Sequence, residues 1–134
     1  MMGKEAITSI SRKQGLNTCS STDAEIVGAD DIVGPMMWTR QFLEAQGYKV
    51  EDNIMYQDNK SAILLESNGW KSTGKRTQHL NIRLFFVTDQ KEKGHISIKF
   101  CPTDQMVADY MTKPLHGAKF KQFRQQIMNL PLAA

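Results

Sequence analysis

Glu25, Asp58 and Asp109 are the carboxylates of this 134-residue sequence whose settings suit chemistry. Glu25 falls in the first turn of an expected helix. Asp58 stands where the alternating run Ile54-Met55-Tyr56-Gln57 stops and an apolar helical run begins at Ala62. Asp109 lies in a helix that follows another expected strand. In α/β sheets, ligands bind in the crevice beyond the strands' C-terminal ends. Acids from three separate elements converging there would hold Mg²⁺, a hard cation that takes oxygen ligands. Each acid also has a plainer reading: Glu25 completing a capping box, Asp58 capping the next helix, Asp109 on a wet helix face.

The elements that must position these acids follow from periodicity and punctuation. Mixed β-formers and polar residues predict a weak strand around residues 6–13 and another at 16–20. Thr22-Asp23-Ala24-Glu25 has capping-box spacing, so a helix starts near Asp23. Ile26, Ala29, Val33 and Met37 continue it at helical spacing, and Gly47 stops it. Gly34-Pro35 should kink or split it, because Pro lacks a backbone donor and clashes with the preceding turn. A strand over Val50–Gln57 and a short helix around 60–66, ending at Asn68-Gly69, come next. Trp70–Thr77 reads as a polar, basic loop. Leu80, Leu84 and Val87 are spaced for a helix, although Ile82, Leu84 and Phe86 also alternate as in a strand; the length of the run to about Lys91 favours helix. Gly94 turns the chain into a half-buried strand over His95–Cys101. Asp104–Thr112 predicts a helix stopped by Pro114, and Phe120, Phe123 and Ile127 lay an apolar stripe on a last helix. Strands alternating with helices give an α/β sheet packed with helices.

A chain this long suits one domain, and 40% hydrophobic with 23% charged residues is a globular composition. No apolar run approaches the roughly 18 residues of a membrane span. The first residues hold no apolar signal core, which argues for an intracellular protein. Cys19 and Cys101 lack C-x-x-C spacing and read as reduced thiols. Charge is lopsided: between Asp23 and Asp58 eight acids face Arg40 and Lys49, whereas between Lys71 and Lys99 seven bases face Asp89 and Glu92. An acidic block followed by a basic one suits a metal site beside a phosphate-binding surface, or simply two solvated faces.

Four stretches, SRKQGLNTCSSTDAEIVGADD, YQDNKSAILLESN, KRTQHLNIRLFFVTDQKEKGHISIKFCPT and DQMVADYMTKPL, resemble the ribonuclease H domain at the C-terminus of Copia-type retrotransposon polyproteins. The resemblance runs in order from about Ala6 to Leu130. It implies an α/β fold, a ribonuclease H-like mixed sheet with helices on both faces. It also implies hydrolysis of the RNA strand of an RNA–DNA hybrid by carboxylates ordered Asp, Glu, Asp, Asp around two Mg²⁺ ions. Matched motif to motif, Glu25 falls on the family's Glu, Asp58 on its second Asp and Asp109 on its last. One metal would activate water and the other stabilise the leaving oxygen, about 3.5–4 Å apart. By the same resemblance Asn59, Ser61, Lys71, Lys75, Arg76 and Arg83 are the substrate-binding residues. The bases would grip phosphate, which gives affinity and position rather than sequence information. His79 either meets substrate or packs; Trp38 and Trp70 read as core or surface anchors.

The sequence departs from the family at its front. The family's first Asp sits on a central first strand, and no Asp precedes Asp23 here. The expectation is therefore a single domain lacking its N-terminal strand, partnered by an upstream reverse transcriptase portion of a polyprotein and inactive as this chain alone. Asn81 also stands where many relatives carry Asp. The competing expectation is a non-catalytic remnant serving as a nucleic-acid-binding or interaction module. A retroviral-type integrase core shares the general fold but orders its acids Asp, Asp, Glu, whereas here Glu comes first.

Overall fold

The computed structural model describes residues 6–11, 13–68 and 81–130. The loop over Trp70–Thr77, with His79, lies outside the described residues. The chain divides into two compact units, one spanning Gln14–Cys101 and the other joining the residues up to Lys13 with those from Pro102 onward.

The larger unit opens with α1 (Ser21–Ala45). Its N-cap is Ser20, whose hydroxyl accepts the Asp23 N–H at 3.1 Å, so the cap lies two residues before the Thr22 that the box spacing predicted. The predicted break at Gly34-Pro35 is absent, and α1 runs unbroken through Pro35. Both residues are exposed, so water can serve the carbonyl that Pro leaves without its helical donor. Gly47, at φ +87°, takes the left-handed conformation that ends the helix without a Cβ penalty.

Strand β1 (Ile54–Gln57) pairs in parallel with β2 (Ser97–Phe100), with Ile54 opposite Ser97 and Gln57 opposite Phe100. Both strands are shorter than predicted, Val50–Asn53 and His95–Ile96 lying outside the ladder. Between them come α2 (Lys60–Asn68) and α3 (Asn81–Glu92). The helix reading of Leu84 and Val87 holds: both are fully buried, while Ile82 is 85% exposed, an opposition that a 3.6-residue period produces and a strand does not. One core cluster gathers Ala29, Val33, Met55, Val87 and Ile96, packing α1 and α3 on one face of the sheet. A second gathers Ile26, Ala62 and Leu84, with Leu65 against them, where α1, α2 and α3 meet. On the sheet's other face Tyr56 is 57% exposed, and its register partner Lys99 is exposed too. Among the described residues the sheet is this parallel pair; that is an α/β arrangement, smaller than the mixed sheet the resemblance implies.

The expected strands at 6–13 and 16–20 do not form in the described residues. Strand propensity is realised only by pairing. Ala6 donates its N–H to the Ile127 carbonyl near the end of a helix, not to a ladder, and Gly15 interrupts the second stretch.

In the smaller unit the expected Asp104–Thr112 helix divides into a 3₁₀ turn (Thr103–Gln105) and a short helix α4 (Asp109–Thr112). Helix α5 (Gly117–Met128) follows, with Phe123 fully buried and Tyr110 stacked on Phe120 at 5.1 Å. Asn129, at φ 49°, closes α5 in the left-handed conformation that Asn tolerates better than most residues.

Candidate functional site

Asp58 follows β1 directly, and its surroundings answer the capping question. The Asn59 side chain caps α2, its Oδ1 accepting the N–H groups of Ser61 (3.0 Å) and Ala62 (3.2 Å). Buried Gln57 shapes the turn, its Oε1 accepting the N–H groups of Asp58 and Asn59. Asn59 Nδ2 also reaches Thr22 Oγ1 at 3.5 Å, which brings the first turn of α1 to the start of α2. Glu25 projects from α1 one turn beyond Thr22 and is partly exposed. With Ser20 as the cap, the capping-box position falls on Asp23, not Glu25. The capping readings thus pass to Asn59 and Ser20.

Asp109 belongs to the smaller unit. It is buried, which sets aside the wet-face reading, and its Oδ2 accepts the Lys113 ammonium at 2.9 Å within the same helical turn. Neither unit gathers three His, Cys, Asp or Glu into a metal-holding group among its described residues.

Among the expected phosphate contacts, Lys71, Lys75 and Arg76 lie outside the described residues. Ser61 is exposed at the start of α2. The Arg83 guanidinium pairs with Asp30 at 2.6 Å and Asp31 at 3.3 Å, tying α3 to α1. A phosphate would therefore have to compete with two carboxylates for it. Burial pushes the Asp30 carboxyl above its ordinary value, the Arg83 charge opposes that push, and the Asp31 charge adds to it. Replacing Arg83 by Met leaves a half-buried carboxylate beside a like charge, so stability should fall by about 1–2 kcal/mol, between the ranges for exposed and buried pairs. A double-mutant cycle with Asp30→Asn checks this: no coupling between the two positions would show the pair to be energetically idle.

The sequence reading passed over Glu66. It is completely buried, and neither carboxylate oxygen has a hydrogen-bond partner among the described residues. Desolvation, and then the nearby Glu25 charge, push its pKa from 4.5 up to about 7, against an opposing pull from Lys91. Lys91 itself donates to Ser67 Oγ at 2.7 Å. The signal was present in the spacing: Glu66 lies four residues after Ala62, on the helix face that Ala62 buries.

Trp38 is 66% exposed and stacks on Phe42 at 5.4 Å, a surface anchor on α1. Neither Cys19 nor Cys101 is held in a disulfide. No helix among the described residues is long and apolar enough to cross a membrane.

No family model and no solved structure matches the chain. Among curated proteins it is similar to the retrovirus-related Pol polyprotein from transposon TNT 1-94 of Nicotiana tabacum, at 26% identity over 122 residues. It is similar also to those from transposons RE1 and RE2 of Arabidopsis thaliana, at 28% and 27% over 127 residues. These alignments cover 91–94% of this chain but only 8–9% of each polyprotein. The chain is thus similar, over nearly its whole length, to a short segment of retrovirus-related Pol polyproteins.

Proposed function

We propose that the chain is the ribonuclease H-like region of a retrotransposon Pol polyprotein, acting on RNA–DNA hybrids inside the cell as part of a longer protein. The observation that carries this reading is the placement of Asp58. It stands at the C-terminal end of a parallel strand, relieved of capping by Asn59, with the first turn of α1 drawn alongside. Similarity to Pol polyproteins across the chain supports the same reading.

In this reading Glu25 and Asp58 of the larger unit, and Asp109 of the smaller one, are by resemblance the metal-ligating carboxylates, and carboxylate oxygens fit the hard Mg²⁺ ion. When bound, the metal would supply activation of water and stabilisation of the leaving oxygen. The chain's own part is positional. Gln57 and Asn59 fix the backbone around Asp58, the Lys113 ammonium pairs with the Asp109 carboxylate and orients it, and the bases from Lys71 onward would meet phosphate. Discrimination of RNA from DNA would fall to contacts with the 2′-hydroxyl in the wide minor groove.

With no Asp before Asp23, the carboxylate set is one short, and the chain alone should cleave an RNA–DNA hybrid little or not at all in Mg²⁺. A longer polyprotein piece that includes an upstream Asp-bearing strand should cleave, and Asp58→Asn should abolish that activity. Turnover by the 134-residue chain, lost in Asp58→Asn, would overturn the expectation of inactivity. A longer piece that binds hybrid but never cuts it would replace the nuclease reading with the nucleic-acid-binding one.

A further inference from the structure

Positive charge is divided unevenly between the two units. The smaller unit carries seven Lys and Arg residues against three Asp and Glu, whereas the larger carries ten against eleven. The basic excess of the chain therefore belongs to the smaller unit, and no acid follows Asp109. Its bases differ in what they already do. Lys113 is paired with Asp109. The Lys119 ammonium lies 5.4 Å from the centre of the Phe123 ring and reaches the Thr103 carbonyl at 3.4 Å. Lys121 and Arg124 are exposed on α5, and among the described residues neither has a hydrogen bond, ion pair or ring contact. Three positions apart on a helix, they are neighbours on one face, with Cβ atoms about 5–6 Å apart. Gln125, one turn after Lys121, adds an amide donor beside them. The aromatic residues of α5 serve the unit's own packing, Phe123 buried and Phe120 stacked on Tyr110. What the helix offers outward is thus chiefly charge and amide, rather than the aromatic and leucine face with which amphipathic helices enter a bilayer.

We propose that the Lys121–Arg124 face of α5 is a further nucleic-acid contact, gripping the phosphate backbone of a duplex. Lys would act there as a compact point charge and Arg as a fork that takes two phosphate oxygens. Such contacts give affinity and position without reading sequence. The inference shares with the proposed function only its partner, a nucleic acid. It needs neither cleavage nor Glu25, Asp58 or Asp109, so the two can fail separately.

The test is fluorescence anisotropy of a labelled RNA–DNA hybrid, and of duplex DNA of the same sequence, with the full 134-residue chain over a range of salt. The slope of log K against log salt measures the phosphates neutralised. Lys121→Ala combined with Arg124→Ala should lower that slope by about two units and weaken both duplexes alike. Exchanging the pair, Lys121→Arg with Arg124→Lys, keeps both charges and should keep the slope. Lys49→Ala removes an exposed base already paired with Glu51 at 3.5 Å and should change nothing. Should the double variant unfold, Lys121→Gln and Arg124→Gln made singly carry the same test, each losing about one unit. A chain that binds the hybrid with the same slope and affinity in the double variant would overturn the inference and leave the proposed function standing. Equal binding of hybrid and duplex DNA, both weakened by the double variant, would support the inference while counting against the hybrid as the chosen substrate. Binding to phosphatidylserine vesicles that the double variant loses, with nucleic-acid binding untouched, would overturn the inference in favour of a lipid surface. No binding of either duplex at low salt would overturn it as well.

Discussion

Replacing Glu66 with Gln should make the chain more stable at pH 8, in the presence of a chelator, while changing little at pH 4. The folded environment raises this carboxyl from 4.5 to about 7, through burial first and the Glu25 charge second. The folded chain therefore holds a proton over a pH range in which the unfolded chain has already lost it. Stability falls as pH rises through that window, from about 4.5 to about 7, and levels off above it. At about 1.4 kcal/mol per pKa unit, a shift from 4.5 to about 7 amounts to about 3 kcal/mol, on the order of a quarter of a domain's whole stability. Glutamine has the same shape and no charge to desolvate, so it removes the pH-dependent part and keeps the packing. Denaturant titrations of both proteins at several pH values give the answer directly. If the difference between them stays flat from pH 4 to pH 8, Glu66 is not buried as a titrating acid.

Leu84→Ala should lower stability by about 2–5 kcal/mol, the usual range for truncating a buried leucine, and could leave a marginal domain mostly unfolded at 37 °C. Leu84 is completely buried where three helices meet, against Ile26, Ala62 and Leu65. A cavity there cannot close by moving one side chain, because the surrounding residues are held on separate helices. Leu84→Met should cost less than about 1.5 kcal/mol, since it nearly conserves volume. Ile82→Ala, two residues earlier but 85% exposed, should stay within about 0.5 kcal/mol of the parent. Equal losses from Leu84→Ala and Ile82→Ala would show that α3 is packed in a different rotation. Because Thr88 links α3 to the Glu66 carbonyl, loosening α3 should also expose Glu66, and the pH dependence described above should shrink in Leu84→Ala.

Local chemistry decided much of this fold before any tertiary contact was considered. The 3.6-residue spacing of Ile26, Ala29 and Val33 is the face that α1 buries, and the alternation around Tyr56 marks β1. The abrupt change of pattern at Asp58-Asn59 marks the start of α2. Periodicity and turn residues reside in neighbouring positions, so a reading along the chain reaches them. It also reached Glu25, Asp58 and Asp109 as candidates, although Asp109 belongs to the smaller unit and only the other two share a unit. What the sequence left open were competitions between nearby groups and between distant ones. Ser20 and Thr22 are both good helix caps, and only the backbone geometry selects Ser20. Pro35 ought to break a helix, yet packing on either side holds α1 together across it. Residues 6–20 have the composition of weak strands, but a strand exists only where a partner's N–H and C=O groups face it, and among the described residues none do. Arg83 was legible as a base, but its ion pairs with Asp30 and Asp31 exist only because α1 places those acids opposite it. Glu66 looked like an ordinary helix glutamate; its burial, its missing partners and its raised pKa arise only when α1 and α3 close over α2, because desolvation is a property of the surroundings and not of the residue.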